Sequence, residues 1–181
     1  MQQGGPAVQP VPMSVIDEML AANELHLGPP PVAEGARPSR RVAVLTCMDV
    51  RVDPRDILGL SLGEAHVLRN AGARVTIDVL CSLALSTHAL GAETVVLMQH
   101  TGCGVAGTTE HALRRLTGAA LDFRVIDDHE RTLLDDLDLV TTASYLRPIL
   151  QAAAFLYDVE SGRVREVARW SRDDGELVTP S

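Results

Sequence analysis

The 181 residues of this chain can enclose one well-buried hydrophobic core but are few for two. The 16 Lys and Arg residues against 24 Asp and Glu give a formal net charge of −8, and aromatic residues make up only 3% of the chain. An acidic chain with few stacking side chains is poorly suited to bind nucleic acid, so we expect no nucleic-acid partner.

Membrane and export signals are also weak in the sequence. The only segment that approaches membrane length, 75–98, is interrupted by Asp78, His88 and Glu93, and the amino terminus has neither a basic start nor an apolar core. The three cysteines are an odd number, which fits a reducing compartment better than a disulfide framework. We therefore predict a cytoplasmic protein with no membrane partner.

The first forty residues predict an arm rather than a core. Residues 1–12 are rich in Gly, Pro and Gln and predict disorder. Ser14 is suited to cap a helix over Val15–Glu24 with an apolar face, and the Pro-rich segment 28–41 predicts a linker. We expect an N-terminal arm and linker at 1–40, an α/β domain at 41–170 and a C-terminal tail at 171–181.

Strands and helices alternate from residue 41 onwards. The predicted strands cover 41–46, 65–69 and 94–99, and the predicted helices cover 53–58 and 77–90. This alternation predicts an α/β fold, a single domain with a central, mostly parallel β-sheet flanked by helices. Cys81 lies on the apolar side of the helix at 77–90, where a packed, non-ligating thiol is expected.

The second half of the chain predicts three further helices and a terminal hairpin. The helices are expected at 109–116, at 128–139 and, broken by Pro148, at 144–150. Strands at 153–159 and 163–168, joined by a turn at Ser161-Gly162, would close the sheet. The acidic residues Asp135, Asp136 and Asp138 predict a solvated helix face.

Two of the predicted strands end in metal-binding residue types. Cys47, Asp49 and Arg51 alternate after the first strand, and His100 and Cys103 follow the third across a turn sequence. The carboxyl ends of neighbouring parallel strands lie together, so Cys47, His100 and Cys103 are expected to converge on one metal ion. Two cysteines and one histidine are a catalytic Zn²⁺ ligand set that leaves one position open.

Asp49, between Cys47 and Arg51, is the candidate for a fourth ligand in such a site. An ordinary surface ion pair would contribute little, but Arg51 offers a planar fork that fixes the orientation of a carboxylate.

These residues resemble the ordered motifs of a known family. The motifs are C-x-D-x-R at Cys47-Met48-Asp49-Val50-Arg51, the segment at 63–72, H-x-x-C at His100-Thr101-Gly102-Cys103 and the segment at 155–162. Together they resemble the β-class carbonic anhydrases, in particular their short bacterial form. The resemblance implies Zn²⁺ bound by Cys47, His100 and Cys103, with an Asp49–Arg51 dyad beside it. It also implies that Asp49 can either occupy the open metal position as a fourth ligand, which closes the site, or turn to Arg51 and leave room for water. It also implies a homodimer or homotetramer with active sites at subunit contacts and an N-terminal helix packed on the neighbouring subunit.

The function that follows is the zinc-dependent, reversible hydration of carbon dioxide to bicarbonate and a proton. In this reading the enzyme is a carbonate dehydratase, a lyase, and a zinc-bound hydroxide oriented by the dyad attacks the substrate. Two alternatives stay open at this point. The same residues could hydrolyse carbonyl sulfide or carbon disulfide, or Asp49 could close the site permanently in a non-catalytic, zinc-stabilised interaction protein.

Overall fold

A computed structural model describes residues 14–26 and 35–180 of the chain. The segment 1–12, and most of the predicted linker, lie outside the described residues. Helix α1, Val15–Glu24, occurs as the sequence predicts. The Ser14 side chain accepts a hydrogen bond from the backbone N–H of Asp17, whose carboxylate in turn accepts one from the backbone N–H of Ser14. This reciprocal capping box starts the helix, and none of its residues is buried.

A six-stranded sheet in the order β2-β1-β3-β4-β5-β6 forms the centre of the main unit. Strands β2, β1, β3 and β4 pair in parallel, whereas β5 and β6 add antiparallel strands at one edge. The strand bounds are β1 Val42–Cys47, β2 Ala65–Asn70, β3 Thr94–His100, β4 Gln151–Asp158, β5 Arg163–Ser171 and β6 Leu177–Val178. The predicted α/β fold with a mostly parallel sheet is confirmed.

Four more helices follow the strands along the chain. They are α2 Pro54–Leu58, α3 Ile77–His88, α4 Glu110–Thr117 and α5 His129–Thr142. Each begins after a polar residue whose side chain accepts a hydrogen bond from a backbone N–H of the first turn; these residues are Asp53, Thr76, Thr109 and Asp128. The local sequence therefore determines where the helices begin.

The core fills one face of the sheet. Leu45 of β1 and Leu97 of β3 are fully buried there against Leu83 of α3 and against Leu133 and Leu137 of α5. Five consecutive residues of β1 and six of β3 are buried, as expected for strands covered on both faces. These two central strands are the rigid base on which the predicted ligands are placed.

Three details differ from the sequence-based expectations. The segment predicted as a helix at 144–150 forms only a 3-10 turn at Ser144–Leu146. Cys81, expected to pack in the core, is exposed. Asp136, expected on a solvated face, is buried with 1% of its surface exposed, because it has a buried cationic partner that helical periodicity cannot reveal.

The described part of the chain contains no helix that is long and apolar enough to cross a membrane.

Candidate metal centre

The three predicted ligands meet at the carboxyl edge of the sheet. Cys47 is the last residue of β1, and His100 is the last residue of β3, the strand that pairs with it in parallel. The backbone then turns at Gly102, where φ is +64°, and this turn brings Cys103 back to the same point. The ligand atoms of all three buried side chains lie within 4.8 Å of one another.

The two sulfur atoms are separated by a distance that suits a shared metal ion. The Sγ atoms of Cys47 and Cys103 lie 3.8 Å apart, and both cysteines are free. A disulfide would need about 2.05 Å. Two thiolates that bind one tetrahedral Zn²⁺ at about 2.3 Å stand about 3.8 Å apart, so the observed spacing fits the ion.

His100 presents one ring nitrogen to this cluster. Its Nδ1 lies 2.9 Å from the carbonyl oxygen of Thr101, to which it donates a hydrogen bond. Its Nε2 is buried and has no hydrogen-bond partner among the residues that the structure describes. A buried polar atom without a partner is costly, and a histidine held in this way at Nδ1 directs the Nε2 lone pair at a metal. The histidine therefore fits a metal ligand as well as the cysteines do.

The contact between the two thiols shifts their pKa values in opposite directions. The hydrogen bond from Cys103 is the largest cause that lowers the pKa of Cys47, to about 3, and the backbone N–H of Gly72 adds to the effect. The same contact, together with burial, raises the pKa of Cys103. A cation bound between the two sulfurs would replace the shared proton, since metal ligation requires the thiolate form.

Asp49 is turned towards Arg51. The Asp49 Oδ1 atom accepts hydrogen bonds of 2.9 Å from the backbone N–H and from Nε of Arg51, and its Oδ2 accepts one of 2.7 Å from Nη2. These contacts hold the pKa of the Asp49 carboxyl well below its usual range. Oδ2 lies 3.8 Å from Nε2 of His100, beside the ligand cluster but outside it.

The pairing arises from a turn rather than from an extended strand. Strand β1 stops at Cys47, and the backbone N–H of Val52 donates to the carbonyl of Asp49 at 3.1 Å. The alternation of Cys47, Asp49 and Arg51 along an extended strand, which the sequence suggested, therefore does not continue past Cys47. Arg51 folds back over this turn and also donates to the carbonyl of Gly102 at 3.0 Å, which links the two ligand segments.

Two residues of the 63–72 motif, to which the sequence analysis gave no individual role, support the ligand segments. Arg69 donates to the carbonyl oxygens of Cys47 at 2.9 Å and of Asp49 at 2.7 Å, and so fixes the backbone between them. The backbone N–H of Gly72 points at Sγ of Cys47 across 3.4 Å. Arg69 lies near the carboxyl end of β2, the other neighbour of β1, and Gly72 lies in the 3-10 turn that follows β2. This position was the signal that could have identified their roles.

A cavity of about 450 Å³ opens beside the cluster. Its walls are mostly apolar, with Met48, Val50, Ala71 and Val105 around the ligand sulfurs and Arg51 at the rim. The cavity therefore offers apolar surface next to the sulfur atoms of Cys47 and Cys103.

Comparison with known proteins identifies the family of the chain. Residues 42–135 match the family model described as carbonic anhydrase. The chain is 34% identical to β-carbonic anhydrase 1 of Mycobacterium tuberculosis over 171 residues, which cover 86% of this chain and 99% of that protein. This chain belongs to the β-carbonic anhydrase family. Members of the family are carbonate dehydratases, which are lyases, so the predicted family and enzyme class are confirmed.

A solved carbonic anhydrase structure supports the same fold. The structure of carbonic anhydrase from Streptococcus mutans superposes with a TM-score of 0.77 at 36% identity, over 87% of this chain and 99% of that one. A second kind of relative matches a shorter part of the chain. Carbon disulfide hydrolase of an Acidianus strain is 42% identical over 72 residues, which cover 40% of this chain and 35% of that protein.

Proposed function

We propose that this β-carbonic anhydrase homologue catalyses the reversible hydration of carbon dioxide to bicarbonate and a proton at a Zn²⁺ centre formed by Cys47, His100 and Cys103. The observation that carries the proposal is the unpaired, buried Nε2 of His100 beside two free thiols, with the Asp49–Arg51 pair at its edge. This combination gives a ligand set and an adjacent orienting group in one place.

Zinc is the metal that this donor set favours. Thiolate and imidazole ligands together suit Zn²⁺, and three protein ligands leave a fourth position for a reactant. Bound there, Zn²⁺ would make hydroxide available near neutral pH, an effect for which carbonic anhydrase itself is the standard example. Two thiolates donate more charge than two imidazoles would, so the surrounding residues must favour hydroxide.

Asp49 would orient the nucleophile. Its Oδ2 is the carboxylate oxygen on the side of the ligands, 3.8 Å from Nε2 of His100. An ionised carboxylate can only accept hydrogen bonds, so Asp49 would hold the proton of the attacking hydroxide and leave an oxygen lone pair free to face the substrate. The lowered pKa of Asp49 keeps it ionised for this role.

Arg51 would keep Asp49 in place. Its two-pronged contact fixes the plane of the carboxylate, which a lysine ammonium could not do. The same contact competes with the metal for Asp49 and so favours an open fourth position over a closed site. The apolar walls around Met48 and Val105 suit carbon dioxide, a small molecule without charge.

One observation favours a second substrate class. The match to carbon disulfide hydrolase covers part of the chain, and hydroxide attack on carbonyl sulfide or carbon disulfide would use the same residues. The apolar cavity excludes neither sulfur compound on chemical grounds. In a third, non-catalytic reading Asp49 would close the metal site, but it is bound by Arg51 instead.

The decisive experiment measures metal and turnover on the same sample. Purified protein is expected to carry about one Zn²⁺ per chain and to hydrate carbon dioxide in stopped-flow assays. Cys103→Ser is expected to lose most of both, whereas the matched control Cys81→Ser, which changes an exposed thiol on α3, retains both. Full zinc content in Cys103→Ser would remove Cys103 from the ligand set.

The same protein is then given carbonyl sulfide and carbon disulfide, with release of hydrogen sulfide as the readout. Faster turnover of a sulfur compound than of carbon dioxide would make hydrolysis the main activity. A zinc-loaded protein that acts on none of the three would support the non-catalytic reading.

The remaining parts of the proposal concern the protein as a whole. A homodimer or homotetramer in the cytoplasm, with residues 1–40 as an arm, 41–170 as the zinc-binding domain and 171–181 as a tail, follows from the family resemblance and the sequence. Strand β6, at Leu177–Val178, extends the sheet into that tail.

A further inference from the structure

A buried ion pair joins Arg74 to Asp136. Arg74 follows Gly72, which contacts Cys47, by two residues. Arg74 is 8% exposed and Asp136, on α5, is 1% exposed. Nε of Arg74 donates to Oδ2 of Asp136 at 2.7 Å, and Nη2 donates to Oδ1 at 3.3 Å. Burying two charges is expensive and often contributes little to stability, so their placement invites another explanation.

The pair joins three segments of the chain. Asp136 also accepts a hydrogen bond of 3.2 Å from the backbone N–H of Val75, next to Arg74. The remaining nitrogen of Arg74, Nη1, donates to the carbonyl of Arg124 at 2.7 Å and contacts that of Val125 at 3.3 Å. The pair therefore ties helix α5 and the segment at 124–125 to the backbone that leaves strand β2.

Arg74 ends a strained turn. The Asn70 side chain spans this turn by accepting from the N–H of Arg74 at 2.9 Å and donating to its carbonyl at 2.7 Å. Between them, Gly72 has a φ of +75° and Ala73 a φ of +55°. A left-handed alanine is unfavourable and persists only where its surroundings fix it. Here the hydrogen bonds of Arg74 to Asn70 and Asp136 fix the backbone next to Ala73.

The turn places a hydrogen-bond donor on a ligand sulfur. The N–H of Gly72 lies 3.4 Å from Sγ of Cys47. A Cβ at Gly72 would lie 2.6 Å from Cγ2 of Val105, so this backbone is pressed against the segment that follows Cys103. Only a small movement of the turn would remove the contact between the N–H and the sulfur.

We propose that Asp136 and Arg74 are positioning residues of the metal centre, which hold the 70–74 turn so that the Gly72 N–H donates to the Cys47 sulfur. The inference rests on the proposed function in taking Cys47 as a metal ligand. A thiolate that accepts a hydrogen bond donates less charge to its metal, so the metal is left a stronger Lewis acid. The ion pair thus offsets part of the effect of two thiolate ligands.

The test uses Co²⁺ in place of Zn²⁺, because thiolate-to-cobalt charge-transfer absorption reports the electron density on sulfur directly. In Asp136→Asn this band is expected at longer wavelength than in the parent, and the equilibrium affinity for Zn²⁺ is expected to fall by about 10- to 100-fold. Asp138→Asn makes the same charge change at an exposed position of the same helix and is expected to leave both unchanged.

Two further variants guard against simple loss of folding. Asp136→Asn leaves the Arg74 charge buried without its main partner. The double variant Arg74→Gln/Asp136→Asn removes both charges of the pair. Arg74→Lys keeps the charge but not the two-pronged contact. The same band shift is expected in each. A lower melting temperature with an unshifted band would overturn the inference and leave the pair a purely structural one. Absence of a thiolate-to-cobalt band in the parent would instead refute the metal centre itself.

Discussion

Asp49 has two partners available, and the geometry favours Arg51 over the ligand cluster. Three hydrogen bonds bind the carboxylate to Arg51, whereas its closest approach to His100 is 3.8 Å. Arg51 and a bound metal ion would compete for this carboxylate. Removing Arg51 and neutralising Asp49 therefore perturb the site in different ways. This difference makes the pair testable one side chain at a time.

Asp49→Asn and Arg51→Ala are both expected to fold and to retain zinc, because Cys47, His100 and Cys103 are unchanged. Asn is a weaker acceptor and can present its NH₂ group to the nucleophile, whereas Arg51→Ala frees Asp49 to take the fourth metal position. Loss of a positioned catalytic group typically costs about 10²- to 10⁴-fold in rate, and stopped-flow hydration of carbon dioxide with zinc quantified measures it.

The chain contains its own control for these two variants. Asp53 and Arg55 form an exposed pair of the same spacing, with Nη2 of Arg55 3.0 Å from Oδ2 of Asp53. Asp53→Asn preserves a good helix cap, and neither it nor Arg55→Ala is expected to alter turnover. Parental activity in zinc-loaded Asp49→Asn or Arg51→Ala would refute the dyad mechanism; loss of zinc in both would make Asp49 a structural ligand.

Strand ends explain why so much of the site could be predicted. Parallel pairing of β1 and β3 fixes where Cys47 and His100 lie, because strand periodicity and right-handed crossovers leave few other arrangements. Side-chain pairs between distant elements have no such periodic signature. Asp136 shares an acidic stretch with exposed Asp135 and Asp138, and its partner Arg74 is 62 residues away. A single sequence therefore could not distinguish the buried carboxylate from its solvated neighbours.

Packing of α3 on the sheet is an element-scale feature that supports β1, the strand that carries Cys47. Leu83 is fully buried in this contact, whereas Leu85 on the same helix is 60% exposed. Leu83→Ala is expected to lower the free energy of unfolding by about 2–5 kcal/mol, because it leaves a cavity against the sheet. Leu85→Ala is expected to stay within about 0.5 kcal/mol of the parent. Urea unfolding of the zinc-loaded protein measures both, and equal losses would show that α3 is not anchored through Leu83.

At the scale of the whole molecule, exposed apolar surface points to assembly. Val50 is 99% exposed and Met48 is 65% exposed, and both line the cavity beside the candidate metal centre. Helix α1, considered by itself, carries Ile16, Met19 and Leu20 on one face, and none of its residues is buried. Apolar side chains concentrated in this way mark surfaces that bind a partner, and a second copy of the chain is the partner implied by the family resemblance.

Removal of the N-terminal arm tests this assembly. Deletion of residues 1–28 is expected to weaken the dimer, and so is Met19→Glu, because a charge on the apolar face of α1 cannot be buried without a large desolvation cost. Ala21→Glu adds the same charge on the opposite side of the helix, given about 3.6 residues per turn, and is expected to leave the dimer intact. Sedimentation velocity across a concentration series measures the association. If the intact protein sediments as a monomer at micromolar concentration, the arm has no partner subunit to bind; if Met19→Glu and Ala21→Glu weaken the dimer equally, the apolar face of α1 is not the surface that joins the subunits.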